Sequence, residues 1–196
     1  HPYRGLIHDG VLYAGQALLK LKPETFSHDL FFRFGSQDDY TIFSPIYAWL
    51  ISRFGIGQAS FFLVMAGQLL WMTGAVRLFS KISHNRDECA ASLLGVVAGV
   101  SLYSGMSILF YGEGFVTPRL FSEALILHGL ACVVNMQLLR AAAVAVVAIL
   151  FHPLMAVPGL AASGLYLAFQ DRRFWVLPVA GVLVFLGLTH RTNGLE

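Results

Sequence analysis

The chain has 196 residues, of which 57% are hydrophobic and only 12% charged, with a net charge of +2 and a mean hydropathy of +0.68. A water-soluble domain carries about 25% charged residues, so this composition argues against an ordinary soluble globule and names lipid as the second solvent. The weak, scattered positive charge offers no nucleic-acid surface, and the two cysteines, with no CxxC spacing, suggest neither a disulfide framework nor a zinc site.

Residues 1–53 carry basic and acidic residues in equal number between broken apolar stretches. Asp9 is placed to cap a helix over 10–22, which Pro23 ends. That helix carries Val11, Leu12, Leu18 and Leu19, with Lys20 and Lys22 at its end, and reads as an interfacial amphipathic helix. Ser44-Pro45 looks like an N-cap and first helical residue, and Arg53 with Gly55 closes the helix that follows. Gly55-Ile56-Gly57 only begins a dinucleotide fingerprint; the third glycine and a preceding strand are missing.

Uncharged runs then follow at 54–76, 89–112, 124–139, 141–169 and 174–189. The expected architecture is an all-α, polytopic transmembrane bundle over 54–190. Its spans are about 54–76, 89–112, 119–139, a broken pair 141–151/154–169, and 174–190, with 1–53 as an outer loop. His152-Pro153 supplies the break, because proline removes a backbone donor and clashes with the preceding turn. Basic residues in short loops set orientation. Arg77, Lys81 and Arg86 place 77–88 in the cytoplasm, so 1–53 and 113–118 lie outside. Arg172-Arg173 is inside only if 141–169 turns back, with the tip of the hairpin facing out. Gly95 and Gly99 form one GxxxG, read as close helix packing.

This topology gathers Asp9, Asp29, Asp38, Asp39, Glu113 and His152 on the outer side. Each has a plain reading beside a catalytic one. Asp9 caps a helix, Asp38-Asp39 sit in a solvated turn, Glu113 is a loop residue between glycines, and His152 satisfies backbone groups at the break. His128, on an apolar helix face, reads as a hydrogen-bonded core residue. Arg119 and Glu123 stand four apart at a membrane boundary, where an ion pair fits the spacing and charge is by default a functional candidate; the plain reading is a snorkelling arginine with a structural partner.

Taken in order, these motifs resemble the GT-C superfamily of membrane glycosyltransferases, such as protein O-mannosyltransferases and aminoarabinose transferases. His8-Asp9-Gly10 with Leu12-Tyr13-Ala14 is similar to the start of that family's first outer loop. Phe43-Ser44-Pro45-Ile46-Tyr47, Phe54-Gly55 and Thr117-Pro118-Arg119-Leu120-Phe121-Ser122-Glu123 look like its later segments. Gly10 departs from the pattern, standing where many relatives carry a second acid. The chain opens on His1 and lacks the family's first span, so it reads as a piece of a longer protein.

The resemblance implies a multi-pass protein of a bacterial inner (plasma) membrane that transfers a sugar from a lipid-phosphate-linked donor at the outer face. Its partners would be the bilayer and that donor. Asp9 would be the catalytic general base. Substrate contacts would fall to Arg119, which could hold the leaving phosphate, and to Asp38, Asp39, Glu123 and His152. No resident metal or other cofactor is required, although a carboxylate pair without histidine suits Mg²⁺ or Mn²⁺ better than zinc. The rival expectation is a transporter, flippase or assembly subunit, for which a broken helix is also typical.

Overall fold

The computed structural model describes residues 2–33, 40–99 and 112–181. It is all-helical, with no strand among the described residues. Nine α-helices appear there: α1 (Asp9–Leu21), α2 (Pro23–Phe26), α3 (Leu30–Arg33), α4 (Phe43–Phe54), α5 (Ile56–Ile82), α6 (Arg86–Ala98), α7 (Pro118–Val134), α8 (Leu138–Phe151) and α9 (Pro153–Gln170). The chain divides into two compact units, 1–156 and 157–196. Among the described residues two helices, α5 and α9, are long and apolar enough to cross a membrane, and α8 is apolar but shorter.

In the first unit α5 packs on α7, α7 on α8, and α1 on α4. The seam between α5 and α7 depends on small residues in α5. A Cβ added at Gly67 would come within 2.6 Å of Leu120, and one at Gly74 would sit 3.0 Å from the Ala124 carbonyl oxygen. These glycines let two backbones approach, the role expected of Gly95 and Gly99. Gly95 instead has no neighbour within 4 Å of an added Cβ among the described residues, and Gly99 is the C-cap of α6. His128 is half-buried rather than part of the core, and hydrogen-bonded: its Nε2 lies 3.2 Å from the Leu70 carbonyl oxygen and 3.4 Å from the Thr73 hydroxyl.

Several boundaries differ from the sequence expectation. The first long helix continues past Arg77 to Ile82, making 27 residues, about 40 Å of helix. The 119–139 run breaks earlier, because Met136 takes a left-handed φ of 56° and the chain turns between α7 and α8. Ser44 is not an N-cap. Helix α4 begins at Phe43, whose N–H donates to the Thr41 hydroxyl at 3.0 Å, while Ser44 faces Gln16. Gly55, with φ 77°, ends α4 and admits α5 directly. The later part of the 89–112 run and most of the 174–190 run lie outside the described residues.

The expected interruption at His152-Pro153 is present, with α8 ending at Phe151 and α9 starting at Pro153. A helix end leaves carbonyls without intrahelical partners, and here they are met from elsewhere in the first unit. The Ile42 N–H donates to Leu150 O at 2.9 Å, the Thr41 hydroxyl to Phe151 O at 2.7 Å, and the Ser122 hydroxyl to His152 O at 3.1 Å. Phe121 stacks on Phe151 at 5.1 Å and leans on Phe43 at 5.9 Å, so the same junction is also packed. In the second unit, Gly164 lies against Leu177 and Pro178.

Candidate functional site

The site forms where the start of α1 meets the loop that leads into α7. Helix α1 buries Gly10, Tyr13, Ala14 and Ala17, one face at helical spacing. Gly10 sets how close it comes: a Cβ there would sit 3.3 Å from the Val116 carbonyl oxygen. The segment before α1 is fastened to the same loop. The Arg4 N–H donates to Gly114 O at 2.8 Å, and a Cβ on Gly114 would meet the Pro2 carbonyl oxygen at 2.4 Å. On the other side, the Thr117 hydroxyl accepts from the Arg119 N–H at 2.9 Å and caps α7, with Pro118 at its start.

Arg119 is therefore delivered between two carboxylates. Its Nη1 donates to Asp9 Oδ2 at 2.7 Å, its Nε donates to Glu113 Oε2 at 3.3 Å, and its Nη2 lies 2.8 Å from Glu113 Oε1. The last contact is ionic rather than an aligned hydrogen bond. The side chains of Glu113 and Arg119 are 1% and 8% exposed, while that of Asp9 is 30% exposed. The cluster thus has a dry interior and one wet edge, and the wet edge is Asp9.

Burial holds the Glu113 carboxyl above the usual carboxylate range; Arg119 and the Thr117 hydroxyl pull the other way without cancelling it. Tyr13, one turn after Asp9 on α1, is also buried here, and its phenol is pushed up to about 12 by burial, with Arg119 opposing and the two carboxylates adding to the rise. Tyr13 therefore stays protonated across the neutral range.

Asp9 does not cap α1. It is the first residue of the helix, the N-cap is His8, and no side chain supplies a capping bond. The carboxylate is turned to α7 instead, although a negative charge in the first turn still suits the helix dipole. Arg119 reaches out of its helix to Asp9 and Glu113, two partners that the four-residue spacing to Glu123 did not suggest; Glu123 is half-buried one turn further along α7. A guanidinium held in this way can meet a phosphate only if Asp9 moves aside.

His152 sits at the break between α8 and α9, and its Nδ1 accepts the Met155 N–H at 3.3 Å, which caps α9. Asp38 and Asp39 lie outside the described residues. Among those described, no group of three or more His, Cys, Asp or Glu side chains could hold a metal ion. Asp9 and Glu113 have Arg119 between them, so a positive charge already stands between these two carboxylates.

Sequence reasoning counted Glu113 among the outer-side acids, with a loop residue as its plain reading, and gave it no partner. Its one local signal was the pair of flanking glycines, of which Gly112 has a φ of 60° and Gly114 admits the Pro2 carbonyl. No family model, curated protein or solved structure matches the chain.

Proposed function

We propose that the chain belongs to a multi-pass membrane glycosyltransferase of the GT-C type, working at the outer face of a bacterial inner membrane on a lipid-phosphate-linked sugar. The observation that carries this reading is the Asp9–Arg119 contact at 2.7 Å, with the carboxylate partly in water and the guanidinium buried. A base must meet its substrate at hydrogen-bonding distance and be held in place while doing so. Asp9 is partly open to water and held by Arg119, and it stands in the first turn of α1, in the 1–53 segment that we read as outside from the basic residues of 77–88.

In the reaction, Asp9 takes the proton of an acceptor hydroxyl. The acceptor oxygen attacks the anomeric carbon, and the carbon–oxygen bond to the lipid phosphate breaks with its electron pair leaving on the phosphate. Arg119 orients the base through Oδ2, and Glu113 holds Arg119 from the dry side. The apolar surface supports the bilayer as partner: Leu69 is 63% exposed, Leu139 86% and Phe169 79%, a pattern that suits lipid-facing helices.

The experiment is sugar transfer by the full-length protein in proteoliposomes, from polyprenyl-phosphate donors carrying mannose or aminoarabinose. Asp9→Asn keeps the size of the side chain and removes the base, so transfer should fall by about 10²–10⁴-fold while insertion stays normal. Transfer at the wild-type rate would remove Asp9 from the mechanism. Absence of transfer by the wild type with every such donor would favour a transporter or assembly subunit, which the interruption between α8 and α9 also suits.

A further inference from the structure

We infer that His8 is a second positioning residue of the site, holding Oδ1 of Asp9 while Arg119 holds Oδ2; this rests on the reading of Asp9 as the base. The imidazole Nδ1 lies 3.0 Å from Asp9 Oδ1, and its ring leans against Phe115 with centroids 5.7 Å apart. The two oxygens of one carboxylate are thus held by groups from different elements, one exposed and one buried. Two-point contact fixes the plane of the carboxylate as well as its position, which proton transfer requires.

The backbone supplies the independent argument. The Gly10 N–H donates to Ile7 O at 3.0 Å, closing a four-residue turn with His8 and Asp9 at its centre. His8 has φ 51° and ψ −138°, the first central position of a II′-like turn, where glycine is the favoured residue. Among the described residues only His8 and Met136 combine a side chain with a positive φ. His8 makes no side-chain capping bond to α1 in return, and beyond the one ring contact to Phe115 its side chain is 45% exposed, so burial does not account for the conformation. A strained residue persists where its surroundings or its task demand it, and the contact to Asp9 is that task.

This gives a test in which stability and activity part company. His8→Gly suits the turn and removes the imidazole. In the full-length protein it should melt at or above the wild-type temperature, yet lose transfer by about tenfold or more in kcat, the scale expected when a catalytic group is mis-set, with KM for the polyprenyl-phosphate sugar little changed. His8→Asn, which tolerates positive φ and places an amide N–H near the position of Nδ1, should retain more activity than His8→Gly. Imidazole in the buffer should restore part of the His8→Gly loss. Wild-type kcat in His8→Gly would overturn the inference. So would a large drop in melting temperature with no recovery by asparagine or imidazole, which would mark a packing role. Asp9→Asn in the same assay separates the two levels. If it transfers normally, the base assignment and the inference fall together; if it is inactive while His8→Gly is normal, only the role of His8 falls.

Discussion

Replacing Arg119 with methionine keeps most of the side-chain volume and deletes the charge between Asp9 and Glu113. Asp9, already 30% exposed, can be hydrated in the variant; Glu113, at 1%, cannot. The Glu113 carboxyl is already raised by burial, and Arg119 is the strongest influence pulling it back. Without Arg119 the group rises further, and at the limit it folds as the neutral acid. Keeping a carboxyl of ordinary pKa near 4.3 protonated at pH 7 costs 1.36 kcal/mol per unit over about 2.7 units, so about 3.7 kcal/mol is the ceiling for this loss. Removing one partner of a buried pair falls in the same range.

The sign with pH follows from the raised value. A folded-state pKa above the unfolded one gives stability that is full below about 4.3 and lost as pH rises through the folded value. Arg119→Met moves that upper limit higher, so its destabilisation should be largest at pH 7 and shrink towards pH 4. Adding Glu113→Gln should recover most of the loss, since a neutral amide needs no counter-charge. The assay is thermal or denaturant unfolding in detergent at both pH values, with the single and double variants compared as a cycle. A loss of equal size at both pH values, or an Arg119→Met protein as stable as wild type at pH 7, would refute the reasoning.

Three further outcomes are expected. Gly114→Ala should loosen the 2–8 segment, because the new Cβ meets the Pro2 carbonyl at 2.4 Å and backbone must shift; proteolysis within 2–8 should quicken relative to wild type, and unchanged protection would contradict it. His152→Ala should cost about 0.5–2 kcal/mol through the lost cap on α9, with His152→Asn milder; equal melting temperatures for the two variants would argue against a capping role. Cysteines introduced at Ser27 and Ser83 in a cysteine-free protein should react with an impermeant reagent from opposite sides of the membrane, and labelling from the same side would reject the proposed topology.

The helical character of the chain, its apolar excess and the interruption at His152-Pro153 were legible residue by residue. Each is a local property: proline lacks an N–H wherever it stands, and long uncharged runs form helices without help from distant neighbours. Asp9 and Arg119 were also legible as residues of interest, because charge is rare in this chain and conspicuous where it occurs. Their relation was not. The pairing expected was the one along the helix, from Arg119 to Glu123, since spacing of four is all that a linear reading can measure.

The observed pairing joins residues 9, 113 and 119, and it exists because Gly10 and Gly114 let two backbones come close. That is a property of packing, invisible in any window of sequence. The same holds for the helix seam, where Gly67 and Gly74 meet α7 while the GxxxG pair does not. It holds for the end of α8, whose carbonyls are met by Thr41 and Ile42 from far away in the chain. Sequence determined which segments are helical and where charge is scarce, because those follow from local chemistry and solvent. Only the tertiary structure decided which charges meet, because that depends on where the backbone leaves room for a close approach.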